Sequence, residues 1–133
     1  MGRHRIAVPA ILAAMTKVRR AVGDLGERLA ERHLAGQGLV VLDRNWRCAE
    51  GEVDLILRDG DDVVFCEVKT RRSAIFGTPA EAIRPDKVRR LRRLAAHWLA
   101  ESSVHPREIR FDVVEVLLRP PAPATVRHIR AAF

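Results

Sequence analysis

The residues with the clearest chemical meaning are acids and a lysine on two neighbouring strand-like segments. Residues 52–58 read EVDLILR and contain Asp54, whereas residues 61–71 read DDVVFCEVKTR and contain Glu67 and Lys69. Side chains alternate across a strand, so Glu67 and Lys69 share one face of the second segment. Paired carboxylates suit hard cations such as Mg²⁺ or Mn²⁺, and a lysine beside them can orient or deprotonate a water. This combination of groups is typical of metal-dependent phosphodiester hydrolysis.

A hairpin between the two segments brings the carboxylates together. Asp59-Gly60 is a strong turn signal, because these residues tolerate positive φ. A two-residue loop there places Asp54 opposite Phe65, and a four-residue loop over 59–62 places it opposite Glu67. Both registers keep the acids on one face, whereas a three-residue loop separates them and breaks the apolar alternation. The other face is entirely apolar and is expected to be the main core face, with Val53, Leu55, Leu57, Val64, Cys66 and Val68.

The distribution of charge along the chain is more informative than its total. The 133 residues carry 24 Lys+Arg against 17 Asp+Glu, a formal net charge of +7. Residues 1–22 hold five bases and no acid, residues 50–67 seven acids against one base, and residues 69–93 nine bases against two acids. An acidic segment directly followed by a basic one fits a metal site beside a phosphate-binding surface. With no Tyr, four Phe and two Trp, a broad platform for stacking bases is not expected.

The basic residues that follow the acidic segment are the candidate phosphate contacts: Arg71, Arg72, Lys87, Arg90 and Arg93. A charged run on a helix is by default a solvated face, but its place directly after the ExK strand favours phosphate binding. Spacing alone does not decide whether the acids and Lys69 form a functional site or a solvated strand end with paired charges, because an ExK pattern is short and common in strands. Two interpretations of Glu52 remain: it is either a further acid of the site or a solvated carboxylate at a loop end.

Cysteine usage and the N-terminal segment bear on the compartment. Cys48 and Cys66 show no CxxC spacing, so we expect neither a zinc site nor a disulfide scaffold, and a reducing cytoplasm is favoured. Residues 1–15 have the outline of a signal peptide, but Pro9 interrupts the apolar run and no clear cleavage site precedes the domain. No run approaches the ~18 apolar residues of a spanning helix, so no membrane partner is expected. The alternatives for this basic arm are disorder, a helical extension, or a usual start at Met15.

The periodicity of apolar residues predicts the elements that position these groups. In chain order they are a helix over 22–37, strands over 39–46, 52–58 and 61–71, a helix from about 79 to 101, and strands over 108–118 and 126–129. Thr78 is expected to cap the second helix, which we expect to kink near Pro85. Hairpins plus one crossover predict an α/β domain over 22–118, with a central mixed sheet flanked by helices. Residues 1–21 form the basic arm, and 119–133 a Pro-containing segment with the short edge strand.

Taken together, the segments resemble the YraN family of uncharacterised proteins, which lies within the PD-(D/E)xK nuclease superfamily. The resemblance covers about residues 22–118 and is carried by GDLGERLAERHL (23–34), GLVVLDRNWRCAEGEVDLI (38–56), VVFCEVKTRRSAIFGTPAEAI (63–83), KVRRLRRLAAHWL (87–99) and RFDVVEV (110–116). One departure is Val53, since the superfamily places a proline before the aspartate.

The resemblance implies a restriction-endonuclease-like core of order α-β-β-β-α-β, similar to archaeal Holliday-junction resolvases. It implies that Asp54 and Glu67 are metal ligands, with the Val68 carbonyl as a further ligand, and that the cofactor is Mg²⁺ or Mn²⁺. It also implies that Lys69 is the catalytic lysine and that Glu27 is the assisting acid of the first helix. Without the resemblance, Glu27 would be interpreted as an acid near a helix N-terminus, where it suits the helix dipole.

Three functions are compatible with these observations. The first is a metal-dependent endonuclease acting on DNA rather than RNA, with branched or single-stranded DNA among the candidate substrates. The second is a nucleic-acid-binding protein that keeps the fold without efficient cleavage, and the third is a structural or protein-interaction role in DNA processing or repair. The intact set of Asp54, Glu67 and Lys69 favours the first. Resolvases work as dimers, so a homodimer is an alternative to a monomer, although the sequence shows no self-complementary patch.

Overall fold

The computed structural model describes residues 3–72 and 84–133, with the side chains of the first helix described from residue 10 onward. In chain order the elements are α1 (Arg3–Gly36), β1 (Val40–Cys48), β2 (Gly51–Asp59), β3 (Asp62–Arg71), α2 (Pro85–Glu101), β4 (Ile109–Leu117) and β5 (Thr125–Ile129). The predicted element order is confirmed, and the architecture is consistent with a restriction-endonuclease-like core.

The five strands form one sheet whose order follows the chain, β1-β2-β3-β4-β5. β1, β2 and β3 pair antiparallel as a meander, β4 lies parallel to β3, and β5 returns antiparallel to β4. A parallel pair needs a crossover connection, and α2 lies within the connection from β3 to β4. The predicted mixed sheet is therefore confirmed.

The two helices cover opposite faces of the sheet. Leu55 belongs to the cluster that contains Leu34 of α1, and its neighbour Ile56 belongs to the cluster that contains Leu94 and Trp98 of α2. Because adjacent strand residues point to opposite faces, both faces carry buried cores. The face predicted to be the main core packs against α1, as expected except at one position. That position is Val53, which joins the α2 cluster beside its β1 partner, Trp46.

The first helix begins much earlier than the predicted residue 22. α1 starts at Arg3, so residues 3–21 are helical. This part exposes several large apolar side chains, namely Ile11, Leu12, Met15 and Val18. In the described ranges, no helix combines the length and apolar character that crossing a bilayer requires.

The second helix begins at Pro85, so the predicted kink there is wrong. Arg84 has an extended conformation, with φ −127° and ψ 146°. The residue before a proline avoids the helical region of φ and ψ, and the first position of a helix does not need a backbone N–H donor. Pro85 therefore begins α2 rather than bending it. The predicted cap at Thr78 lies outside the described residues.

The β2–β3 hairpin turns at Gly60-Asp61, between the paired residues Asp59 and Asp62. The predicted two-residue loop at Asp59-Gly60 is therefore wrong by one position. Gly60 has φ +60°, and it occupies the first central position of the turn, where a type II′ hairpin requires positive φ. Leu55 faces Cys66 in the strand pairing, and the next pair along the strands sets Asp54 opposite Glu67. This is the register predicted for the four-residue loop.

The close approach of α1 to β3 depends on Gly26. A Cβ placed on Gly26 would lie 1.8 Å from Thr70 Oγ1 and 2.8 Å from Thr70 Cβ, distances that real Cβ atoms do not adopt. We expect Gly26→Ala to lower the free energy of unfolding by about 1–3 kcal/mol, because overpacking forces the helix away from the strand. Urea denaturation measures this change.

The matched control for this substitution is Gly23→Ala on the same helix. A Cβ on Gly23 meets nothing within 4 Å, so the variant is expected to gain up to about 1 kcal/mol from helix propensity. Adding Thr70→Ala to Gly26→Ala should restore part of the lost stability. Equal urea midpoints for the two single glycine variants would contradict the contact with Thr70.

Candidate functional site

A cleft of about 320 Å³ lies between the β2–β3 strands and the N-terminal half of α2. Its lining consists of acids from the sheet, bases from the helix and small or apolar walls: Gly51, Glu52, Asp54, Glu67, Lys87, Arg90, Leu91 and Leu94. Strand alternation places Asp54 and Glu67 on the α2 face, while Ile56 and Phe65 fill the same face further along. The cleft is thus the polar end of the interface between the sheet and α2, which is otherwise apolar and buried.

Asp54 is a half-buried acid with one backbone donor. Its Oδ2 accepts a hydrogen bond of 2.8 Å from the Val68 N–H, which fixes the carboxylate across the hairpin. Burial raises the pKa of Asp54, and the charges of Glu67 and Glu52 raise it further, against the Val68 bond and the Lys69 charge, which lower it. A cation placed between these carboxylates would relieve their repulsion.

Glu67 is held by two lysines. Its Oε1 lies 3.1 Å from Lys69 Nζ and its Oε2 lies 3.0 Å from Lys87 Nζ. The Lys87 contact is an ion pair that lacks the alignment of a well-directed hydrogen bond. Burial alone would raise the pKa of Glu67, but the two lysines outweigh burial and hold the pKa below its usual range. Glu67 is therefore an ionised carboxylate whose charge is neutralised locally by the two lysines.

Glu27 does not line this cleft. It lies on α1 and borders the groove on the opposite side of β3, together with Val68 and Thr70. Burial raises the pKa of Glu27, and the charge of Asp54 is the next contribution. The structure therefore brings Glu27 within electrostatic reach of Asp54, but not into the cleft of Asp54 and Glu67.

Asn45 is a residue of this region that the sequence did not indicate. With its amide nitrogen turned toward α1, Asn45 donates to both carboxylate oxygens of Glu27 at 3.2 Å. Asn45 has φ +49° within β1, a conformation that asparagine tolerates better than most residues. Its place in the RNWR segment was the available signal, because an asparagine in a β-prone run marks an irregular backbone position.

The five predicted phosphate contacts do not form one surface. Lys87 and Arg90 line the cleft, whereas Arg72 borders the groove beside α1. Arg93 Nε lies 3.4 Å from Glu50 Oε2. Arg71 ends β3, where its carbonyl accepts a bond of 2.8 Å from the Leu118 N–H.

Glu52 combines both predicted alternatives. It borders the cleft and raises the pKa of Asp54, yet its half-exposed side chain accepts a bond of 3.0 Å from Arg47 Nε. It is therefore a rim acid with its own surface partner.

The chemistry of the donors decides whether a divalent cation fits. Across residues 3–72 and 84–133, no group of three or more His, Cys, Asp and Glu side chains is close enough to hold a metal ion. Asp54 and Glu67 nevertheless offer the hard carboxylate oxygens that Mg²⁺ and Mn²⁺ prefer, and their mutual repulsion favours a cation between them. A cation bound by Glu67 would compete with the two lysines for the charge of this carboxylate.

Comparison with known sequences matches the chain to one family model and to several relatives of that same family. The pattern of the Uncharacterised protein family UPF0102 matches residues 26–116. A UPF0102 protein of Frankia alni is 56% identical over 117 residues, which cover 88% of this chain and 98% of the relative. UPF0102 proteins of a Nocardioides species and of Beutenbergia cavernae are 51% identical over 118 residues (89% and 95% covered) and 54% identical over 114 residues (86% and 97% covered). The matched range contains Glu27, Asp54, Glu67 and Lys69.

Proposed function

We propose, since this chain belongs to the UPF0102 (YraN) family of the PD-(D/E)xK nuclease-like superfamily, that it is a divalent-metal-dependent nuclease acting on DNA. The observation that carries the proposal is the cleft in which Asp54 and Glu67 meet, with Lys69 Nζ 3.1 Å from Glu67. Lys87 and Arg90 add positive charge to the same wall, as a phosphate-binding site requires.

Each group has a role that follows from its place. Asp54, Glu67 and the Val68 carbonyl would hold Mg²⁺ or Mn²⁺, which supplies positive charge at the phosphate and a water of lowered pKa. Lys69 lies on the same strand face as Glu67, where its ammonium can orient the attacking water by donating to it. Arg90 can hold a neighbouring phosphate of the backbone against the cleft.

The proposed setting is the reducing cytoplasm, where DNA is processed. Both cysteines are free thiols, Cys66 buried and Cys48 half-buried, which suits a compartment that keeps thiols reduced. Lys87 and Arg90 of α2 and Lys69 of β3 place positive charge around the cleft, so we expect affinity for DNA to fall steeply with salt concentration.

A second candidate is DNA binding without efficient cleavage. The observation that favours it is that Lys69 and Lys87 already neutralise the charge of Glu67 without a metal. The basic wall of the cleft would serve a binding protein equally well.

Replacement of Lys69 by methionine tests the two candidates. We expect the variant to lose about 10²–10⁴-fold in cleavage rate, because the ammonium that orients the water is gone. The measurement is a panel of duplex, single-stranded, flap and four-way DNA, each incubated with Mg²⁺ and with Mn²⁺.

Lys17→Met is the matched control, since it removes the same charge from an exposed position of α1. Cleavage at the wild-type rate by Lys69→Met would contradict the proposed role of the lysine. Tight DNA binding by the wild type without cleavage of any substrate would establish the second candidate instead.

A further inference from the structure

Lys87 is the more buried of the two lysines on Glu67. Its side chain is 18% exposed, against 34% for Lys69, and its ammonium lies 3.0 Å from Glu67 Oε2. The same ammonium lies 5.3 Å from the centre of the Phe133 ring. The ammonium of Lys87 thus lies between a carboxylate and an aromatic ring, with most of the side chain removed from water.

Three separate parts of the fold fix this arrangement. Glu67 comes from β3, Lys87 from the first turn of α2, and Phe133 from the segment after β5. That segment is tied to β4, because the Ala132 N–H donates to the Phe111 carbonyl at 2.8 Å. Phe133 also packs against the α2 core cluster. The position of Lys87 is therefore set by tertiary structure, whereas Lys69 reaches Glu67 from the same strand.

The arrangement puts Lys87 in competition with a metal ion. Each oxygen of Glu67 faces one ammonium, so a divalent cation that binds this carboxylate competes with both lysines for its negative charge. Arg90 lines the same cleft one turn along α2, but the described residues include no ion pair between Arg90 and Glu67. Of the two bases that α2 contributes to the cleft, Lys87 therefore contacts the Glu67 carboxylate, whereas Arg90 only lines the wall.

We propose that Lys87 is the positioning residue of Glu67 and the internal counter-ion that a divalent cation displaces. Lys87 holds the carboxylate in the cleft before the ion binds, and it lowers the affinity of the cleft for that ion. Once displaced, its ammonium stays beside Arg90, where it can neutralise a phosphate of the substrate. This inference rests on the proposed function, because it assigns Glu67 to the metal.

The test is titration of the full chain with MnCl₂ by calorimetry. We expect Lys87→Met to bind Mn²⁺ about fivefold to tenfold more tightly than the wild type, because its carboxylate has lost a competing cation. Arg90→Met removes the same charge from the same wall, and its affinity should rise less than about twofold, as for a screened charge without a direct contact. Lys87→Arg keeps the ion pair and should bind Mn²⁺ as the wild type does.

The sign of the change in Mn²⁺ affinity separates competition with the ion from a purely structural role of Lys87. A substitution that only loosens the site would weaken Mn²⁺ binding, whereas removal of a competitor strengthens it. Phe133→Leu keeps both charges and removes the second contact of Lys87, so it should tighten Mn²⁺ binding by about twofold. This variant also serves as the test if Lys87→Met does not fold.

The outcomes distinguish this inference from the proposed function. Equal Mn²⁺ affinities of Lys87→Met and Arg90→Met, or weaker binding by Lys87→Met and Phe133→Leu, would overturn the role of Lys87 alone. Absence of Mn²⁺ binding by the wild type, or binding that is unchanged in Asp54→Asn, would overturn the metal site and the role of Lys87 together.

Discussion

Replacement of Asp54 by asparagine is expected to lower metal-dependent DNA cleavage by at least about 100-fold while leaving the fold intact. Substitutions of groups that merely support metal ligands already cost about 10–100-fold, and Asp54 is proposed as a ligand itself. The neutral amide also removes the negative charge that attracts the cation. Initial cleavage rates with Mg²⁺ and with Mn²⁺ measure the loss.

The stability of the same variant is the second half of this prediction. The pKa of Asp54 is raised by burial and by Glu67 and Glu52, so the folded state disfavours the ionised carboxylate. Asparagine keeps an oxygen that can accept the Val68 N–H, and it removes the buried charge. We therefore expect the urea midpoint at pH 7 to be unchanged or higher, as is common where function opposes stability.

Glu52→Gln is the matched control, because it removes one carboxylate from the rim of the same cleft. Since Glu52 is half exposed and paired with Arg47, we expect its cleavage rate to fall less than that of Asp54→Asn. A stable Asp54→Asn variant that cleaves at the wild-type rate would contradict the assignment of Asp54 to the metal.

Replacement of Asp112 by alanine is expected to cause the largest loss of stability, about 3–5 kcal/mol, because it removes a buried acceptor shared by three groups and leaves Arg110 with only Asp59 as a partner among the described residues. Asp112 is 1% exposed on β4. Its two oxygens accept bonds from Arg110 at 2.8 and 3.0 Å. Oδ1 also accepts from the Ala131 N–H at 2.9 Å, and Oδ2 lies 2.7 Å from His128 Nε2. Chemical denaturation measures the loss.

The ionised state of Asp112 predicts how stability depends on pH. Burial would raise its pKa, but the bonds from Arg110, Ala131 and His128 outweigh burial and hold the pKa below its ordinary value. The resulting stability is present above the unfolded pKa of about 3.9, and it is lost as the pH falls through the lower folded pKa.

Urea midpoints measured from pH 7 to pH 3 test this dependence. The wild type should lose stability at the acid end, and Asp112→Asn should start lower at pH 7 and fall less. Asp61→Asn, at an exposed turn position, should stay within about 0.5 kcal/mol of the wild type at pH 7. Parallel curves for the wild type and Asp112→Asn would contradict the buried ion pair.

The sequence could predict those features that depend on local alternation. Period-2 patterns located the strands, and the parity of the hairpin brought Asp54 and Glu67 to one face under both even-length loops. Alternation could not distinguish a turn at Asp59-Gly60 from one at Gly60-Asp61. Both are two-residue turns that contain the same glycine, and the pairing shifts by two residues between them, which leaves every side chain on the same face. The choice depends on which position takes positive φ, and that emerges only from the paired backbone.

Contacts between distant elements could not be predicted in this way. The pairing of Lys87 with Glu67 depends on where α2 crosses the sheet, and no periodicity within α2 encodes that position. Arg110 and Asp112 are two residues apart on one strand, so their contact was locally visible. The approach of His128 to Asp112 depends on the register of β4 and β5, which a short edge strand specifies weakly.

The strand order of the sheet also has a consequence for assembly of the molecule. β1, β2 and β3 can pair through short turns, whereas β4 can join β3 only after the long connection that contains α2 has closed. Asp54 and Glu67 meet within the early meander, and Lys87 arrives with the late connection. A growing chain would therefore bring Asp54 and Glu67 together with Lys69 as a neighbouring cation, and Glu67 gains its second lysine, Lys87, when the late connection closes.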